Sequence, residues 1–145
     1  MSDNFPIEMI SFTVPLEPKS LQFSGKRLTV RGGQPRFFKT KDAQLYQQLI
    51  ATLARPHRPK TALSGPLILA VEFVMPRPQR LGKKNPNRQP CWVRPDTDNL
   101  IKPLKDSLSA FWVDDSQICV ELVKKTYAAI GEDSHIEVCI GKIEL

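Results

Sequence analysis

The sequence predicts an α+β fold: a single domain over residues 1–145, with a mixed or antiparallel sheet and two main helices packed on it. Three observations carry this. Apolar residues alternate with polar ones in several short runs, as strands require. Two other segments repeat apolar residues at helical spacing. At 145 residues and 41% apolar, the chain holds enough material for one core.

The elements follow in order. Ile10, Phe12 and Val14 alternate and predict a first strand, ended by Pro15 and Pro18. Residues 15–39 form a long basic connection. Gly32-Gly33 places a hairpin there, with Leu28 and Val30 on one arm and Phe37 on the other. Thr40 opens a helix whose apolar stripe is Leu45, Leu49 and Leu53 with Tyr46 and Ile50, and Pro56 and Pro59 stop it. Leu67, Leu69, Val71, Phe73 and Met75 alternate, and Ile68, Ala70 and Val74 between them are also apolar. That predicts a central strand covered on both faces.

Residues 76–95 carry five prolines and six cations with no acid, so regular structure is not expected there. The segment reads as a mobile basic loop that orders on a ligand, or as a plain linker. Asp98 or Asn99 caps a second helix with Leu100, Ile101, Leu104 and Leu108 inward and Pro103 near its fifth position. Residues 117–127 and 134–143 read as two strands around a Gly131-Glu132-Asp133 turn.

Several classes are excluded. The longest apolar run, Leu67 to Val71, is too short to cross a membrane. Asp3 and Glu8 leave no secretory pattern at the start. Three cysteines (Cys91, Cys119, Cys139) without CxxC spacing argue against a disulfide framework and fit a reducing cytoplasm.

The net charge of +6 is divided unevenly. Residues 1–95 hold 16 Lys/Arg against 5 Asp/Glu, and residues 96–145 hold 5 against 10. The basic part suits a polyanion. Its candidate phosphate contacts are Lys26, Arg27, Arg31 and Arg36 in the first connection. Arg77, Arg80, Lys83, Lys84, Arg88 and Arg94 add to them in the second loop. Phe37, Phe38 and Trp92 are available to stack on unpaired bases, although core packing is the expected role for at least two of them.

The acids concentrate beside that loop. Asp96 and Asp98 are two apart, so in an extended segment both carboxylates point the same way, and two hard oxygen ligands suit Mg²⁺. Lys102 follows one helical turn on, and Asp114-Asp115 stand at the entry to the next strand. Each piece has a plain reading: a helix cap for Asp98, surface positions for Lys102 and Asp106, a turn for Asp114-Asp115. Together they point to metal-dependent phosphodiester hydrolysis, with the lysine stabilising a pentavalent transition state or moving a proton.

The run Asp96-Thr97-Asp98-Asn99-Leu100-Ile101-Lys102, then Asp106 and Leu108, then Trp112-Val113-Asp114-Asp115-Ser116-Gln117-Ile118, resembles the RusA family of Holliday junction resolvases. The resemblance implies a small homodimeric endonuclease that needs Mg²⁺ or Mn²⁺ and cuts four-way junctions, or other branched DNA, by paired nicks. Position by position, Asp96, Asp98 and Asp115 match the metal-binding carboxylates and Lys102 the catalytic lysine, with Asp114 ranked below Asp115. Asn99 and Gln117 match without an assigned role. A two-fold dimer also suits a junction of approximate two-fold symmetry. The second helix spans about 16 Å. Asp115 therefore either folds back to Asp98 in one subunit or meets it across the dimer. Two other readings compete: a non-catalytic junction- or DNA-binding module, and a Mg²⁺ enzyme acting on a small phosphorylated or glycosylated molecule.

Overall fold

The computed structural model describes the backbone of residues 9–20, 26–31, 34–39 and 41–144, and the side chains of residues 9–20 and 41–144. Seven strands and two helices are described. They are β1 (Met9–Val14), β2 (Lys26–Arg31), β3 (Gln34–Lys39), α1 (Lys41–Ala54), β4 (Leu67–Met75), β5 (Gln89–Pro90), α2 (Thr97–Ser107), β6 (Ile118–Tyr127) and β7 (His135–Lys142). The main sheet runs β1-β7-β4-β6-β5, and β2 and β3 pair as a separate ribbon. All contacts in the main sheet are antiparallel except β4 with β6, so the sheet is mixed.

Alternation places the core. Phe12 and Val14, then Leu67, Leu69, Val71 and Phe73, then Ile136, Val138 and Ile140 face one side of the sheet. Tyr46, Ile50 and Ala54 from α1, and Leu100, Ile101, Leu104 and Leu108 from α2, cover that side. The isolated 3-10 turn at Ser109–Phe111 drops Phe111 onto Phe12, with ring centroids 5.5 Å apart.

Several expectations need correction. The buried line of α1 is Ala43, Tyr46, Ile50 and Ala54, whereas Leu45 and Leu49 are 56% and 50% exposed. Neighbouring helical residues lie about 100° apart, so two stripes compete. The one with alanines lies nearest the sheet. β4 is central, but only one of its faces is packed. Val74 is buried on the other face, while Ile68, Ala70 and Glu72 are only half-buried. β6 and β7 do not form a hairpin, because β4 lies between them and pairs with both. Gly131, at φ +78°, turns the chain as expected, and the 128–134 link then carries it past the end of β4. The arms of the β2–β3 ribbon pair as the glycine pair predicts. Thr40, Gly32 and Gly33 lie outside the described residues.

The segment 76–95 is built rather than loose. The Arg77 guanidinium donates to the carbonyls of Gly82, Asn85, Asn87 and Ala128 at 2.7–3.2 Å. Gln79–Leu81 form a 3-10 turn, and Gln89-Pro90 add a short strand to β6. One arginine with five donors replaces the ladder that the prolines forbid. Among the described residues, no helix is long and apolar enough to cross a membrane.

Candidate active site

The acidic motif is divided between the two ends of α2. Asp96 occupies the N-cap position with extended backbone, and its carbonyl accepts the Asn99 amide at 3.1 Å. Its side chain makes no capping bond. The helix therefore begins at Thr97, and Asp98 and Asn99 lie inside its first turn rather than capping it. Asp96 and Asp98 both stand at the start of a helix, not along an extended segment. Their proximity to the helix N-terminus favours negative charge there. Asp98 and Lys102 are four residues apart on one helical face, and both are exposed. Pro103 is the seventh helical residue and is buried, so the Asn99 carbonyl has no amide four residues on.

A lysine that the motif did not mark sets the approach to Asp96. Lys125, on β6, donates from Nζ to the carbonyls of Val93 and Pro95. It ties the loop before α2 to the far end of the strand. The Arg94–Pro95 peptide in that loop is cis. Nothing in its local sequence distinguishes Lys125 from the neighbouring Lys124. Beside the loop, a cleft of about 1310 Å³ is lined by Lys19, Tyr46, Met75, Arg94, Asp96 and Asn99, among others. Tyr46 forms part of its wall by accepting the Lys19 amide at 2.9 Å, and burial pushes its hydroxyl up to about 12.

Asp114 and Asp115 lie at the other end. Asp114 accepts the Ser116 amide at 2.8 Å, which holds its carboxyl below the usual range. Gln117 closes the turn by accepting the Asp114 amide at 2.7 Å. Its side-chain nitrogen donates to the carbonyls of Leu63 and Gly65. This supplies the role the sequence left open for Gln117. Asp115 accepts the buried Trp112 indole at 2.6 Å. The pair therefore sits in an organised turn at the start of β6, while Asp96 stands by Lys125 near its end. Lys125 is seven residue steps along the strand from Ile118, about 23 Å.

The donors are hard oxygens, which suits Mg²⁺. Their number in one chain does not. Among the described residues, no three His, Cys, Asp or Glu side chains gather where they could hold a metal ion. Asp96, Asp98 and Asp115 thus form no three-carboxylate cluster within one chain.

The basic residues also divide. Arg77 is committed to backbone carbonyls. Arg88 is committed to Glu72, Glu132 and Glu137 at 2.6–2.9 Å. Both guanidiniums are engaged within the fold, Arg77 by four carbonyls and Arg88 by three carboxylates. Arg80 donates to the Tyr127 hydroxyl at 2.9 Å and lies over its ring, yet remains exposed. Lys83, Lys84 and Arg94 are exposed. The side chains of Lys26, Arg27, Arg31 and Arg36, and of Phe37 and Phe38, lie outside the described residues. Trp92 is 88% exposed, so it is not a core residue.

Exposed carboxylates and a lysine at a helix start, beside a cationic loop and an open cleft, are the equipment of enzymes that act on phosphodiesters. The chain belongs to the RusA endodeoxyribonuclease family, whose profile matches residues 15–140. It is also 28% identical over 146 aligned positions to the uncharacterized protein YqaN of Bacillus subtilis (strain 168). That alignment covers 94% of this chain and 99% of YqaN.

Proposed function

We propose that the protein resolves Holliday junctions, cutting four-way DNA by paired symmetric nicks as a homodimer. The observation that carries the reading is the grouping of Asp96, Asp98 and Lys102 at the exposed start of α2, in a chain of an endodeoxyribonuclease family. Asp96 and Asp98, with Asp115 and secondarily Asp114, would hold Mg²⁺ or Mn²⁺. When bound, such an ion polarises the phosphodiester and activates water for attack.

The chain's own groups do the rest. Lys102 presents its ammonium on the Asp98 face, where it neutralises charge growing on the non-bridging phosphate oxygens. Asp96, free of any capping bond, keeps its carboxylate directed at solvent and ligand. Arg94, Arg80, Lys83 and Lys84 hold the flanking phosphates and set position rather than sequence. Lys125 acts as a positioning residue for the loop that carries Arg94 and Asp96.

The test is a cleavage assay on an immobile four-way junction and a linear duplex of the same sequences, with Mg²⁺ or with EDTA, alongside Asp98→Asn. The reading expects paired nicks on the junction only, with metal only and with the unsubstituted protein only. Junction binding is expected to survive in Asp98→Asn. Equal cutting of the duplex would make the protein a general nuclease. Tight junction binding without nicking in either metal would leave a non-catalytic binding module.

A further inference from the structure

Among the described residues, Trp92 is the most exposed large apolar side chain, and its neighbour Val93 is 45% exposed. Tryptophan is highly buried on average, because covering its ring removes about 150–250 Å² from water. The Trp92 ring has no aromatic partner among the described residues. A loose chain does not explain the exposure, since the backbone is fastened on both sides. Gln89 and Pro90 pair with β6. Cys91 is buried, and its amide donates to the Lys125 carbonyl at 3.1 Å. Lys125 Nζ then donates to the carbonyls of Val93 and Pro95. The fold spends four backbone anchors on the segment and leaves its largest side chain in water.

That side chain stands close to Asp96. Two bonds from one ammonium hold the Val93 and Pro95 carbonyl oxygens within about 6 Å of each other. The chain is therefore pinched between Trp92 and Asp96, which lie four residue steps apart, at most about 14 Å. At about 3.4 Å per nucleotide, that spans no more than about four nucleotides. The setting is cationic. Residues 76–95 carry six cations and no acid, and Arg94 is exposed two positions on. On the other flank, Arg80 lies over the ring of Tyr127, 5.5 Å from its centroid, and Tyr127 pairs with Gln89.

A bare indole among cations suits a flat aromatic group carried on a polyanion. A nucleobase is such a group, and its π-face stacks whatever its identity. An apolar peptide would leave the same cations unpaired. Inside a linear duplex, neighbouring bases cover both faces of every base; a branch point interrupts the stack and bares one. We propose that Trp92 stacks on a base laid open at the branch point of the DNA, and so determines the preference for branched over linear substrate. This deepens the nuclease reading and rests on it. The uncharged indole adds nothing to phosphate attraction, so its share is absent on duplex and independent of salt. Because Lys125 fixes the spacing from Trp92 to Asp96, the stacked base also sets which phosphate reaches the carboxylate.

The test uses the full chain in EDTA, with an immobile four-way junction and a linear duplex of the same sequences. Trp92→Ala is expected to weaken junction binding about 5–150-fold, the loss of one stacked base. Its duplex affinity and salt slope are expected to stay unchanged. Trp92→Phe keeps a π-face and most of the affinity, whereas Trp92→Leu keeps only apolar bulk and follows alanine. All three are expected to melt with the unsubstituted protein, because the replaced side chain lies in water. Acrylamide quenching gives an independent readout. Trp112 is buried, so the quenchable emission belongs to Trp92. The junction is expected to protect it, and the duplex is not.

Equal losses on junction and duplex overturn the proposal in favour of a general DNA contact. Unchanged junction affinity in Trp92→Ala, or an indole still open to acrylamide on the junction, overturns it and leaves the indole to a protein partner. Nicking is read separately in Mg²⁺. A protein that protects Trp92 on the junction and never nicks refutes the nuclease reading while the base contact stands. One that nicks while Trp92→Ala binds the junction normally refutes the base contact alone.

Discussion

Replacing Arg88 with methionine separates a structural cation from a DNA-binding one. Its guanidinium joins three carboxylates from distant elements: Glu72 on β4, Glu132 in the 128–134 link and Glu137 on β7. Glu72 also accepts the hydroxyl of buried Thr126 at 2.9 Å. Removing Arg88 leaves three carboxylates facing one another. Breaking a fully buried pair costs about 3–5 kcal/mol, and an exposed one about 0–1 kcal/mol. The Arg88 side chain is 30% exposed, so about 2–3 kcal/mol is the expected loss between those limits. At this chain length each kcal/mol shifts Tm by about 3–4 °C, so the melt should fall by about 6–12 °C. Arg88→Lys keeps the charge but lacks the planar fork, and should recover less than half of the loss. The assay pairs a thermal melt with junction binding across a salt series. Arg88→Met is expected to lower Tm and leave the salt slope of the folded protein unchanged. An unchanged Tm with a slope flattened by about 1 would refute the reasoning and return Arg88 to the phosphates.

Lys83→Gln with Lys84→Gln should do the reverse: an unchanged melt and a salt slope flattened by about 1–2, measured by fluorescence anisotropy with a labelled junction. Lys102→Met should slow single-turnover nicking by about 10²–10³ while junction affinity holds, as expected for a group that acts mainly in the transition state. The Arg88 hydrogen bonds hold Glu132 down at about 2, below its ordinary 4.5. Its contribution to stability is therefore complete above about 4.5 and lost as pH falls toward about 2, which a melt series in acid reads. His135 runs the other way. Burial opposes its charge, but the Asp133 carbonyl and Glu137 raise its pKa overall, so its share is present at low pH and lost as pH rises through that raised value. Gln117→Ala strands the Leu63 and Gly65 carbonyls and should cost about 1–2 kcal/mol in a denaturant titration.

Period-two alternation was enough to find β1, β4 and β7, because each buries one face against helices. The motif from Asp96 to Ile118 was legible because its residue types are chemical. Strand order was not: the Gly131 turn specifies a reversal, while the demand of β4 for partners on both edges decides which strand lies next. The buried line of α1 was hidden because alanines carry it as well as a tyrosine and an isoleucine. Arg77 and Arg88 look like any surface cations in sequence, since their partners lie up to 51 residues away. The divided motif was visible only as a helix length; its division became plain once Lys125 placed Asp96 at the far end of β6.

The central position of β4 also governs when the sheet can close. Val71 pairs with Val123 on one side and with Val138 on the other. Phe12, near the beginning of the described chain, has its strand partner in Val138, near the end. These are long-range closures, so folding belongs to the millisecond-to-second regime of non-local sheets. A ribosome that has delivered β1, α1 and β4 has delivered three apolar faces with no sheet to join. Folding must therefore wait for β7, and until then the nascent chain presents the surface that chaperones bind.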